Sequence, residues 1–240
     1  MRYLQVSVIG IVLLFATWLA AETPEELAQR YNLQGMWAYH RFDWKTAEAA
    51  FRKVLKEVPD HKLANYNLAC VLSLRLSQDR FSWLRDIGLG QDPWEQLARA
   101  IEVDPAAAEK AAHDPDFAKI RLTPGFQKLI GADLRDSRLV ELLLIAQGEW
   151  FGGPCGAWCG NNLIFFENGE VTQRTLGEDG QGHGFFEYER GRYSIKDGVV
   201  SVQLDSGELL EGGFVIEGPL TGMLKLGSRN GYFVAPTGDI

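Results

Sequence analysis

Cysteine, histidine and catalytic signatures are all scarce in this chain. Three cysteines and four histidines occur in 240 residues. No CxxC or HxxxH pair is present, so the ligand spacing of a structural zinc site is missing. No GxSxG elbow, Gly-rich phosphate loop or HExxH signature appears. Basic clusters are absent too, and the formal charge is −8. That balance removes the electrostatic grip needed for nucleic acid or anionic lipid. Low-complexity tracts are also missing. With 46% apolar and 11% aromatic residues, the chain has the material for packed cores, and its length suits two small domains. These absences point to a protein without catalytic machinery, cofactor or metal.

The first 21 residues read as a leader. Arg2 precedes an apolar run from Val6 to Phe15, and Leu19-Ala20-Ala21 leads into the polar Glu22. A charged start, a short apolar core and small residues at the end form the pattern of a secretory signal peptide cleaved after about Ala21. The run is short for a membrane span. No cysteine lies near the cut, which argues against lipid attachment. Losing Arg2 would take the formal charge from −8 to about −9. The expected location is periplasmic or secreted, where disulfides persist, with no stable membrane span after cleavage.

Residues 22–131 read as helical. Thr23-Pro24-Glu25-Glu26 has the form of a capping box with proline in the first turn. The stretch "YNLQGMWAYHRFDWKTAEAAFRKVLKEVP" then sets Tyr31, Gly35, Ala47, Phe51 and Pro59 at the spacing of two helices in close contact. Gly35 and Ala47 permit the approach, Phe51 fills it, Asp43 caps the second helix and Pro59 ends it. This unit, residues 28–61, resembles the tetratricopeptide (TPR) repeat, a 34-residue helix–turn–helix. It departs from that pattern at Gln34 and Ala38. A second unit begins at Lys62, with Leu68, Ala69 and Leu72 at matching positions. Its second helix starts late, at Asp92-Pro93-Trp94-Glu95. The extra residues fall in "SQDRFSWLRDIGLGQDP", read as a longer first helix with a loop, or else as a lid or a domain contact. "HDPDFAKIRLTPGFQKLIG" resembles the motif that closes a group of such repeats. Two units are few for a stacked array, so the helical half is expected to lean on the other domain or on a partner.

Residues 132–147, "DSRLVELLLIAQ" at their core, predict a connecting helix capped by Asp136 or Ser137, with Leu139, Leu142, Leu143 and Ala146 as its packing face. From Gly148 to Ile240 the period changes. Turn pairs Asn168-Gly169, Asp197-Gly198, Ser206-Gly207 and Asn230-Gly231 separate short alternating runs. About eight strands result, in an antiparallel barrel or sandwich. "GEWFGG", "FFENGEV" and "GRYSIKDGVVSVQL" resemble small lipocalin-like barrels of bacterial envelope proteins. The fold class is therefore α+β in two domains.

"GGPCGAWCG" carries Cys155 and Cys159 four apart. A redox pair has two intervening residues and a helix start, and zinc needs more ligands. A disulfide needs neither, and closing so short a loop stabilises by roughly 2 kcal/mol. The disulfide is favoured, with free thiols, metal and redox roles as alternatives. Glu187 and Glu189 share a strand face but read as a solvated edge.

The TPR resemblance implies a groove lined by the first helix of each unit. By position it comprises Asn32, Met36, Tyr39 and His40, then Tyr66, Cys70 and Ser73. Aromatic and amide side chains suit peptide recognition. Asn67 matches the asparagine of the carboxylate-clamping subclass, but the basic residues are missing, so a carboxylate clamp is rejected. The leading expectation is an exported, non-catalytic interaction protein that binds a protein or peptide partner in the cell envelope. The alternative is a carrier of a small apolar ligand inside the β domain. A barrel filled by Phe165, Phe185, Tyr193 and Phe214 would exclude that carrier.

Overall fold

A computed structural model describes residues 22–76, 93–118, 120–152, 161–178, 181, 183–216, 223–227 and 232–234. The expected leader, most of the insertion between the helices, Cys155, Cys159 and Asn230-Gly231 lie outside the described residues.

The helical half holds α1 (Pro24–Tyr39), α2 (Trp44–Glu57), α3 (Lys62–Leu76), α4 (Pro93–Val103), α5 (Ala106–His113) and α6 (Pro124–Leu129), with a 3-10 turn at Pro115–Phe117. Local chemistry sets the starts. Thr23 Oγ1 accepts from the Glu26 amide at 3.2 Å, and Glu26 Oε2 accepts from the Thr23 amide at 2.9 Å, completing the reciprocal cap. Asp43 caps α2 through the Thr46 amide at 3.1 Å, and Thr123 caps α6 through the Phe126 amide at 3.3 Å. Helices α1 and α2 form one hairpin and α3 packs on α2. Phe51 is fully buried at their junction with Ala38, Ala47, Leu68, Val71 and Leu72. A Cβ on Gly35 would lie 2.5 Å from Phe51 Cε1, so only glycine lets the ring in. Glu48 on α2 is buried at 8% exposure. Its charge is matched by Arg52 at 2.8 Å and by Arg75 of α3, tying the two helices together.

The β half is a closed antiparallel barrel in which each strand pairs with the next and β8 returns to β1. Its strands are β1 (Glu149–Gly152), β2 (Asn161–Phe165), β3 (Glu170–Glu178), β4 (Gly184–Lys196), β5 (Val199–Leu204), β6 (Leu209–Val215), β7 (Met223–Leu226) and β8 (Tyr232–Val234). Closure leaves no long open edge. Alternation puts one residue in two inside: Trp150, Leu163, Phe165, Val171, Tyr193, Val200, Val202, Leu204, Leu210, Leu224 and Leu226 make one buried cluster. The tightest turn follows its sequence. Asp197 and Gly198 have φ of 51° and 80°, the two left-handed residues of a two-residue hairpin between Lys196 and Val199.

A seventh helix, α7 (Ser137–Ala146), joins the halves. Asp136 caps it through the Arg138 amide at 2.9 Å. The buried stripe is Val140, Leu143 and Leu144, while Leu142 is 49% exposed, so the packed face is turned by about one residue from the expected one. The barrel sets that rotation. Val140 and Leu144 belong to the barrel cluster, the Trp150 indole donates to Leu144 O at 2.8 Å, and the Tyr193 hydroxyl donates to Glu141 at 3.1 Å. On the other side, the Gln147 amide donates to Leu122 O of the helical half.

Candidate partner-binding face

Helical spacing aligns Tyr66, Cys70 and Ser73 along one side of α3. Their opposite number is a turn of the same chain, Asp114–Phe117. The Tyr66 hydroxyl donates to Asp114 Oδ2 at 2.8 Å, the Ser73 hydroxyl to Asp116 O at 2.8 Å, and the Tyr39 hydroxyl, from the end of α1, to Asp116 Oδ2 at 2.6 Å. Phe117 is fully buried, edge-on to Tyr66 at 5.8 Å and tilted on Phe126 at 5.6 Å. The turn is held from behind as well. The Asp116 amide donates to Asp114 Oδ1 at 3.1 Å, and Arg121 donates to Asp114 O at 2.6 Å. Lys110 sits over the Tyr66 ring, its Nζ 3.8 Å from the centroid.

Electrostatics follow from that geometry. Burial, and then the hydrogen bond to Asp116, push the Tyr39 phenol well above its usual range. Burial and the bond to Asp114 do the same for Tyr66. Cys70 is pushed well up, by burial first and then by the two aspartates. A thiol held protonated is neither a nucleophile nor a ready ligand. Cys70, Asp114 and Asp116 place ligand atoms within 4.8 Å of one another. The set fits a resident metal poorly: each carboxylate already accepts a phenol proton, and a soft sulfur stands beside two hard oxygens.

Of the residues expected in the groove, Tyr39, Tyr66 and Ser73 are thus engaged by the chain itself. The others lie further along the face. Met36 Sδ accepts from the Asn67 amide of α3 at 3.3 Å. His40 is exposed at the end of α1 and edge-on to Tyr39 at 5.5 Å. Asn32, Met36 and His40 recur every four residues, so they form one stripe of α1. The Asn32 side-chain oxygen is buried and has no hydrogen-bond partner among the described residues. The acidic turn was not anticipated as a neighbour of the tyrosines. Its signal was Asp-Pro-Asp-Phe itself, since carboxylates beside a buried Phe need donors.

Two open hollows flank this half. One, of about 600 Å³, lies between α2 and α4 over Asn65 and Leu68, with Arg52, Lys56, Glu95 and Arg99 on its walls. The other, of about 560 Å³, lies beside Lys110, His113 and Asp114. In the barrel, Phe165 meets Tyr193 edge-on at 5.1 Å and Phe214 stacks on Trp150 at 5.6 Å. Phe185 instead stands 41% exposed on the part of β4 that extends past β5. Comparison with family models, curated proteins and solved structures finds no match to this chain.

Proposed function

We propose that this is an exported, non-catalytic interaction protein whose TPR-like helical half binds an extended segment of an envelope protein. The segment lies along Asn32, Met36, His40 and Asn67, the part of the face that the acidic turn leaves open. The observation that carries this reading is the Asn32 side-chain oxygen, buried yet unpaired. A buried acceptor without a donor costs stability, and turning the Asn32 side chain outward lets a peptide backbone N–H supply that donor. Asparagine suits the task because its amide both accepts from and donates to a backbone. The packed barrel interior supports this reading over the ligand carrier, and the barrel then serves as a rigid support. Export brings with it a Cys155–Cys159 disulfide, for which intact mass with and without reductant is the direct check.

Crosslinking mass spectrometry in envelope extract tests the binding role. Crosslinks from Lys110 to a partner are expected with the wild type and should fall about tenfold in Asn32→Ala, an effect equivalent to one lost buried hydrogen bond. Equal crosslinking by Asn32→Ala and wild type would overturn the groove.

A further inference from the structure

One side of α1, beside the Asn32–Met36–His40 stripe, is unusually apolar. Leu33 and Trp37, one turn apart, are each 63% exposed, and Phe42, just past the helix, is 77% exposed. Arg41 lies over the Trp37 ring at 4.4 Å. Phe42 has φ of 60°, a conformation that a bulky residue adopts at a cost, and its ring touches Trp44 only edge-on, at 5.5 Å. Among the described residues this ridge stays largely uncovered.

Charge along the ridge is polarised. Glu22, Glu25 and Glu26 stand at its start, and His40, Arg41 and Lys45 at its end, all exposed. Arg30, between them, is paired with Glu22 at 2.6 Å, and Asp43 caps Thr46. A surface that is acidic at one end, basic at the other and apolar between is complementary to itself when reversed. That is the requirement for a two-fold interface, in which the same patch meets its copy.

We infer that a second copy of this chain covers the ridge, the two α1 helices packing antiparallel about a two-fold axis level with Gly35. Leu33 of each copy then meets Trp37 of the other. Glu26 falls within about one turn of the second copy's Arg41 and Lys45. The antiparallel helix dipoles add to the attraction. One helix pair is a small interface, so association in the micromolar range, about 10 µM, is expected.

Sedimentation of the exported full chain, from about 1 to about 100 µM, tests this. The wild type should pass from monomer to dimer with concentration. Trp37→Ala, Glu26→Arg and Arg41→Glu should each weaken the dimer about tenfold or more, with circular dichroism showing that the variants stay folded. The double variant Glu26→Arg/Arg41→Glu restores opposite charges across the axis and should recover dimerisation. A monomer at every concentration, a dimer indifferent to Arg41→Glu, or a double variant weaker than both singles would overturn the proposal.

Discussion

Tyr39 and Tyr66 show how a side chain's neighbours alter its chemistry. Both phenols are held neutral by burial and by aspartate acceptors, with their ionisation pushed above the ordinary value near 10. Tyr193 in the barrel is shifted the same way, by burial and then by Glu141. The sign of the pH effect follows. Below about pH 10 both folded and unfolded chains keep these protons, and the contribution to stability is complete. As pH rises through 10 the unfolded chain loses them first, so stability falls. Alkaline denaturation monitored by phenolate absorbance should therefore be cooperative rather than gradual, and Tyr66→Phe should be less stable at neutral pH with a shallower loss of stability above pH 10. Free titration of these tyrosines near pH 10 with the fold intact would contradict the hydrogen bonds described. The sequence showed the tyrosines and the aspartates separately. Their pairing spans 77 residues for Tyr39–Asp116 and 48 for Tyr66–Asp114, a distance at which no local pattern signals contact.

The helices and hairpins were more legible. Thr23, Asp43 and Thr123 mark helix starts because capping is a local exchange of hydrogen bonds. Asp197-Gly198 marks a hairpin because few residues tolerate two consecutive positive φ angles. The packing of α1 on α2 was also readable, since a glycine opposite an aromatic is a size match. It yields a sharp expectation: Gly35→Ala drives a methyl into Phe51 and should destabilise the helical half by roughly 1–3 kcal/mol, seen as a lower urea midpoint. An unchanged midpoint would mean that α1 shifts freely on α2. Less legible was α7. Its sequence offers leucines on more than one side; Val140, Leu143 and Leu144 are buried rather than Leu139 and Leu142, and Val140 and Leu144 join the barrel cluster.

In the whole molecule, α7 is where the two halves are joined. It contributes Val140 and Leu144 to the barrel core, and Leu144 O receives the Trp150 indole proton. Leu144→Ala leaves a cavity in that core and should cost about 2–5 kcal/mol. Hydrogen exchange is the discriminating measurement. Amides of the barrel and α7 should lose protection together, while those of α1, α2 and α3 keep theirs. Loss across both halves would show that the chain folds as one unit.

Periodicity, capping residues and turn pairs lay in the chain order itself, and with them came the division into a helical and a β half. These are short-range matters of backbone geometry and hydrophobic alternation, so neighbouring residues suffice to state them. The tertiary structure decided what faces what. It closed the strands into a barrel around an apolar cluster, set an acidic turn against the tyrosines of the expected groove and left Leu33 and Trp37 in solvent. Those outcomes depend on contacts between residues far apart in sequence, where side-chain shape and unpaired donors choose the partner.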